Sequence, residues 1–284
     1  MKKRSDYFEG RDLCIATKHQ KEKVLAPLLE AALGVHVFVP SSLDTDVLGT
    51  FSGSVKREKN PLETARDKCR LANELVGCDL VLASEGSFGN HPTLFFTQAD
   101  EEILLLKDFK NDIEIAAKSL STSTNLNSAI IDNQKELLVF AEEIGFPEHG
   151  VVMRRSEDDY SEVYMDLFSQ EELVDRFKKL KTNTDSVFVE TDMRAMNNPK
   201  RMEVIREAGV ELLKRIESQC PSCALPGFWI SKVNPGLPCS QCGFPTRSSL
   251  SYTYSCVKCE HTEKKMFPRD IRFEDPMYCD ICNP

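Results

Sequence analysis

The chain has 284 residues, 41% of them hydrophobic and 29% charged, a globular composition with room for one large or two ordinary domains. Its net charge of -9 opposes non-specific binding to duplex nucleic acid. No run approaches the ~18 apolar residues of a membrane span, and Met1-Lys2-Lys3-Arg4-Ser5-Asp6 lacks the apolar stretch of a signal peptide, so a cytoplasmic protein with no membrane partner is expected.

Short apolar runs alternate with helical-period stretches from the start. Strand 13–17, helix 20–33, strand 35–39, helix 62–76 and strand 79–83 give α/β organisation. In the second helix Leu62, Ala65, Cys69, Ala72 and Val76 recur at spacings of three and four, the stripe of a helix packed on a sheet. A β-meander over 93–98, 101–106 and 112–118 extends that sheet with antiparallel strands, and a Ser/Thr/Asn-rich loop, 119–127, follows. Beyond it come helix 134–144, strands 151–155 and 163–168, helix 170–180, strand 187–190 and a long helix from Pro199 to about Ile216. Asn198 before Pro199 is a helix-start signal. The expected fold is a mixed sheet with flanking helices over residues 1–218, followed by a small two-zinc ribbon-like module over 219–284.

Eight of the eleven cysteines form four C-x-x-C knuckles: Cys220/Cys223, Cys239/Cys242, Cys256/Cys259 and Cys279/Cys282, separated by 15, 13 and 19 residues. Two intervening residues let both sulfurs of a knuckle reach one ion, so eight thiolates predict two closed tetrahedral structural zinc sites. The segment from Cys220 has too few large apolar residues to fold unaided, and metal supplies the difference. A ribbon hairpin, 251–255 and 263–267, flanks the third knuckle and suggests pairing second with third and first with fourth. Trp229, Tyr252 and Tyr254 offer a contact surface for nucleic acid or protein. Seven Lys/Arg against six Asp/Glu beyond Cys220 favour instead their packing around the zinc sites. Cys14, Cys69 and Cys78 sit singly among apolar neighbours and read as buried small hydrophobes.

Ligands of open α/β sheets bind outside the carboxyl ends of the strands. The first strand leads into Thr17-Lys18-His19-Gln20-Lys21-Glu22-Lys23, the second into Pro40 to Asp46, the third into Ser84-Glu85-Gly86-Ser87-Phe88-Gly89, and the last into Thr191-Asp192-Met193-Arg194. Hydroxyls, lysines and helix N-termini at one rim suit phosphate, and carboxylates there suit a bridging magnesium ion. Gly86 and Gly89 allow close approach of a ligand to the backbone.

Over residues 12 to 120 these pieces resemble the inosine/xanthosine triphosphatases, which hydrolyse non-standard nucleoside triphosphates. Ala16-Thr17 matches that family's A-T-x-N-x-x-K turn, with His19 in place of its asparagine and lysines at 21 and 23. Glu63-Thr64-Ala65-Arg66-Asp67-Lys68-Cys69 resembles its E-x-A-x-x-K pattern, and Leu82-Ala83-Ser84-Glu85-Gly86 its metal-binding segment. The resemblance implies a Mg-dependent nucleotide or phosphate-ester hydrolase in which a metal-oriented water attacks phosphorus. Glu85, Glu63 and Lys68 would be catalytic, and Thr17, His19, Lys21, Lys23, Arg194, Asn198 and Arg201 would gather phosphate. Glu85 and Asp192 are the magnesium candidates, with residues 191–201 lining the cleft of Glu85. The whole chain, including Thr191 to Met202 and the cysteine-rich end, resembles an uncharacterised bacterial family, a domain of unknown function. The alternative functions are a non-catalytic nucleotide sensor and an adaptor whose zinc ribbon binds RNA or protein.

Overall fold

The computed structural model describes residues 7–41, 43 and 59–284. The chain divides into two compact units, one made of residues up to 110 with 116–212, the other of 111–115 with 213–284. No helix among the described residues is long and apolar enough to cross a membrane.

The first unit holds two sheets. β1 (Asp12–Ala16), β2 (His36–Phe38), β3 (Leu80–Asn90), β4 (Gln98–Asp108) and β5 (Ile113–Ser121) form a mixed sheet in the order β2-β1-β3-β4-β5. The pairs of β1 with β2 and β3 are parallel, and β3 with β4 is antiparallel. Leu13 to Ala16 are all buried, as a central strand covered on both faces requires.

One cover is α2 (Pro61–Val76), whose start is fixed by Asn60 Oδ1 accepting the Glu63 N–H at 3.0 Å and by proline in the first turn. Its buried stripe of Ala65, Cys69 and Ala72 packs on Cys14, Ala16, Val81, Ala83 and Leu105. The opposite face carries α1 (Glu22–Leu33) and α5 (Pro199–Glu217). A side chain on Gly209 of α5 would start 2.9 Å from Leu25 of α1 and 4.0 Å from Leu104 of β4, so glycine lets these helices close on the strand. Fully burying leucines such as Leu25, Leu29 and Leu104 contributes roughly 1.5–3 kcal/mol each.

The second sheet, β6 (Ser128–Ile131), β7 (Val151–Arg154), β8 (Val163–Tyr164) and β9 (Val187–Thr191), runs antiparallel in the order β6-β9-β7-β8. α3 (Gln134–Ile144) and α4 (Gln170–Lys181) cover it, with Leu137, Phe140, Leu173, Phe177, Val187 and Val189 in its own core.

Two expected elements are corrected. The third strand does not stop at Ala83: it continues to Asn90, paired residue by residue with β4. The first meander strand expected at 93–98 is the turn of that hairpin, closed by the His91 N–H on Thr97 O at 2.9 Å. The long cross-strand ladder imposes strand geometry on Ser84-Glu85-Gly86-Ser87, whose own propensity for it is weak.

In the second unit β10 (Trp229–Pro235), β11 (Ser249–Ser255) and β12 (Thr262–Met266) form an antiparallel sheet, and the expected ribbon hairpin is β11–β12.

Candidate functional site

From β1 the chain passes through α1 to β2 on one side, then through α2, on the opposite face, to β3 on the other side. The strand order therefore reverses between β1 and β3, the position at whose carboxyl ends open α/β sheets bind ligands. The β1–β3 register ends at Ala16 opposite Ala83. Immediately beyond it, Lys21 Nζ donates to Ser84 Oγ at 2.8 Å.

Antiparallel pairing sets which side chains share a face. Gly86 lies opposite Glu102 and Phe88 opposite Asp100, so these join Ser84 on the α1 and α5 face. There Lys21 Nζ is 3.6 Å from Glu102 Oε2, and Arg201 Nε donates to Glu102 Oε1 at 2.6 Å. Arg201 also donates to the Met193 carbonyl and lies 5.0 Å from the Phe88 ring centre. A Cβ at position 86 would fall 2.4 Å from Glu102 Oε1 and 2.6 Å from Arg201 Nη2, so only glycine leaves room for this pair.

Arg201 and Glu102 are buried together with Lys21 and Asp100. Burial lowers the Lys21 ammonium to about 8 despite the nearby Glu102 charge. Burial pushes Asp100 up to about 7, reinforced by Glu102, and its Oδ1 has no hydrogen-bond partner among the described residues. For Glu102 burial also works upward, but Arg201 and Lys21 outweigh it and hold the carboxyl below its ordinary range. These shifts come from burial and from the charges of one ion-pair network on the α1 and α5 face.

Glu85, one residue along from Ser84, points to the other face and pairs with Lys68 of α2. Both charged pairs act on one another, since Lys21 also feels Glu85 and Lys68.

Thr17 is buried and its Oγ1 accepts the His19 N–H at 3.3 Å. His19 lies within electrostatic reach of Asp166, while Lys23 is exposed on α1. Glu63 is exposed on the first turn of α2, about 140° around the helix from Lys68. Ser42, Asp44, Thr45 and Asp46 of the second rim lie outside the described residues.

Residues 191–201 do not share one face with Glu85 throughout, because the guanidinium of Arg201 lies on the α1 and α5 face. The Asp192 carboxylate accepts the Arg194 N–H at 2.9 Å, Arg194 Nε at 3.0 Å, Arg194 Nη2 at 2.6 Å and Asn197 Nδ2 at 2.8 Å. Arg194 reaches Asp166 as well, at 2.7 Å, so both candidates bind protein groups. Asn198 is a buried helix cap: its Oδ1 accepts the Arg201 N–H at 3.1 Å and its amide reaches Asn125 Oδ1 at 2.9 Å. Asp100 and Glu102 escaped the sequence reading, while Ser84 stands in the rim it picked out. The signal was the two-residue alternation Asp100-Glu102-Leu104, which puts the acids on a buried strand face.

The second unit brings the eight knuckle cysteines into two tetrads, Cys220, Cys223, Cys256 and Cys259, and Cys239, Cys242, Cys279 and Cys282, each with sulfurs within 4.8 Å of one another. The expected pairing is corrected: first joins third, and second joins fourth. The sheet dictates this, because Trp229 at the start of β10 lies opposite Ser255 at the end of β11, bringing the knuckle before β10 to the one after β11. Cys239 bridges to Glu274, which carries the tail and its fourth knuckle to the second.

Sulfur separations of 3.6 Å for Cys220–Cys259 and Cys223–Cys256, and of 3.8 and 3.6 Å for Cys239–Cys282 and Cys242–Cys279, match the edge of a tetrahedron with zinc–sulfur bonds of about 2.3 Å, roughly 3.8 Å. The His261 backbone N–H draws Cys259 down to about 6, while burial pushes Cys223 up to about 12. Four thiolates this close need a cation between them. Phe228 stacks on Tyr254 at 5.9 Å and packs with Cys220 and Cys256, so Tyr254 belongs to the packing around the first tetrad.

The segment from Lys68 through both tetrads, residues 68–284, matches the model of a family described as a domain of unknown function, DUF6671. The chain belongs to that family. No curated protein matches it. The match takes in Lys68, Glu85, Glu102, Arg201 and all eight tetrad cysteines, and Lys21 precedes it.

Proposed function

We propose that the α/β unit is a Mg-dependent hydrolase of a nucleotide or other phosphate ester, working at the carboxyl ends of β1 and β3. The observation that carries this reading is that two lysine pairs, Lys21 with Ser84 and Lys68 with Glu85, flank adjacent residues of β3 from the two faces of the sheet where the strand order reverses. The likeness of residues 12 to 120 to the inosine/xanthosine triphosphatases points the same way.

The residues fit a magnesium ion brought in with its phosphates. Glu85 supplies one carboxylate, and no cluster of three acidic or histidine ligands exists among the described residues. Magnesium commonly uses one or two carboxylates, with water and substrate phosphates completing its shell. When bound, it would neutralise charge building on the transferred group. Lys68 pairs with Glu85, and with magnesium held by that carboxylate its ammonium would be available to a phosphate group. Lys21, with its lowered affinity for a proton, gains its full charge as a phosphate approaches, and the Thr17 and Ser84 hydroxyls supply neutral donors beside it. The role of the cysteine tetrads in this reading is to fold the second unit.

Nucleoside mono-, di- and triphosphates are expected to raise the melting temperature of the zinc-loaded chain in the presence of Mg, since a ligand at 100 times its Kd stabilises by about 2.7 kcal/mol. Lys68→Ala should remove the shift. Absence of a shift with every phosphate compound, with magnesium present, would turn the reading toward an adaptor.

A further inference from the structure

Asp100 and Glu102 stand two residues apart on β4, so both point to the α1 and α5 face, and both are buried, at 1% and 0% exposure. Their surroundings differ. Glu102 meets two cations: Arg201 Nε donates to its Oε1 at 2.6 Å, and Lys21 Nζ lies 3.6 Å from its Oε2. Asp100 has an enclosed Oδ1 with no hydrogen-bond partner among the described residues. Lys21 also donates to Ser84 Oγ at 2.8 Å, and Arg201 to the Met193 carbonyl.

A carboxyl oxygen shut away from water and from any donor holds negative charge at high cost, so the group keeps its proton. The charges around Asp100 act in both directions. Glu102, beside it on the strand, repels a second negative charge, while Arg201 of α5 and Lys21 at the start of α1 attract one and are already engaged with Glu102. Opposite Asp100 on β3 is Phe88, whose side chain has no donor. On β5, Ser119 gives its hydroxyl to Glu207 of α5 at 3.1 Å. Burial first, and Glu102 second, hold the Asp100 carboxyl up at about 7.

We propose that Asp100 is a proton-operated switch in this network. Protonated, it leaves Arg201 and Lys21 to Glu102 and so ties α5 and the start of α1 to β4. Ionised, it sets a second carboxylate against Glu102 for the same two cations and loosens the hold on Lys21 at Ser84. The proton is exchanged with solvent and no ligand takes part, so the switch stands apart from the hydrolase reading. Its sign follows from linkage. The folded chain binds this proton more tightly than the unfolded chain, whose aspartate releases it near 3.8. The contribution of Asp100 is therefore fully present below that pH and is lost as pH rises through about 7.

Urea unfolding of the α/β unit in the zinc-loaded full chain, followed from about pH 5 to 8.5 beside Asp100→Asn, tests this. The variant keeps the shape of the side chain and cannot ionise, and the difference between the two chains removes the other titrating groups. Between about pH 5 and 7 the wild-type folding constant should fall about tenfold per pH unit relative to the variant, then level off. With carbon-13 at the aspartate carboxyls, one wild-type resonance that is missing from the variant should titrate near neutral pH. A stability difference that stays constant with pH overturns the proposal. So does a variant less stable than wild type at about pH 8, or an Asp100 resonance that titrates in the ordinary aspartate range, since either shows a fold that holds this carboxyl ionised.

Discussion

A strong chelator is expected to unfold residues 213–284 and to leave the α/β unit folded. Beyond Cys220 only Phe228 and Leu237 join the cysteine sulfurs among the buried apolar residues described, far too small a core for a segment of this length. Apparent zinc binding energies of about 10–16 kcal/mol per structural site exceed or match the whole stability of a typical domain, so loss of metal is loss of fold. Cys220→Ser should lower zinc content from two ions to one and expose β10 and β11 to protease, because the first tetrad holds the end of the sheet where Trp229 meets Ser255. Zinc content by mass spectrometry and limited proteolysis before and after chelation read the effect. A chelated chain with verified metal loss and undiminished protease resistance would show that the tetrads are not what holds this unit.

Arg201→Met is expected to cost the α/β unit about 3–5 kcal/mol, because it leaves the Glu102 carboxylate buried beside Lys21 alone. The guanidinium also supplies the Met193 carbonyl with a donor, which the variant removes in a site where Arg201 and Glu102 are buried. Replacing both partners, Arg201→Met with Glu102→Leu, should recover part of the loss, since an apolar pair carries no unpaired charge. Gly86→Ala acts on the same pair from the backbone side and should also destabilise, the new methyl displacing Glu102 or Arg201. Urea midpoints of the four proteins decide it. If Arg201→Met unfolds at the wild-type midpoint, the buried pair does not join α5 to the sheet in the way described.

How much of this was legible in the sequence differs by element. The C-x-x-C spacing names metal ligands because a knuckle is local, four residues reading as one unit. The pairing of knuckles is not local: it depends on β10 and β11 lying antiparallel, and nothing within Cys220–Cys223 or Cys256–Cys259 records that. The α/β pattern was legible in helices such as 61–76, where the apolar stripe repeats. Ser84 to Asn90 was not, since its glycines and polar residues become strand only through pairing with β4. That pairing has a consequence for the site. Because Ser84 and Glu85 alternate across the sheet, the phosphate-gathering candidates Thr17, Lys21 and Arg201 fall on one face and the Lys68–Glu85 pair on the other. Asp192, Arg194 and Asn198 were selected for chemistry that phosphate would use, and the fold gives their side chains partners within the protein. Asp100 and Glu102 fall in the expected meander without being singled out, although their alternation with Leu104 marks a buried face.

The hydrolase reading rests most directly on Glu85. Phosphate release from nucleoside triphosphates should be measured with the zinc-loaded chain, with and without magnesium, beside Glu85→Gln and an Arg206→Ala control on the exposed face of α5. The account predicts release that requires magnesium, survives Arg206→Ala, and falls by at least about a hundredfold in Glu85→Gln, the scale expected when a catalytic electrostatic contact is removed. Magnesium-dependent release that Glu85→Gln leaves unchanged would contradict it.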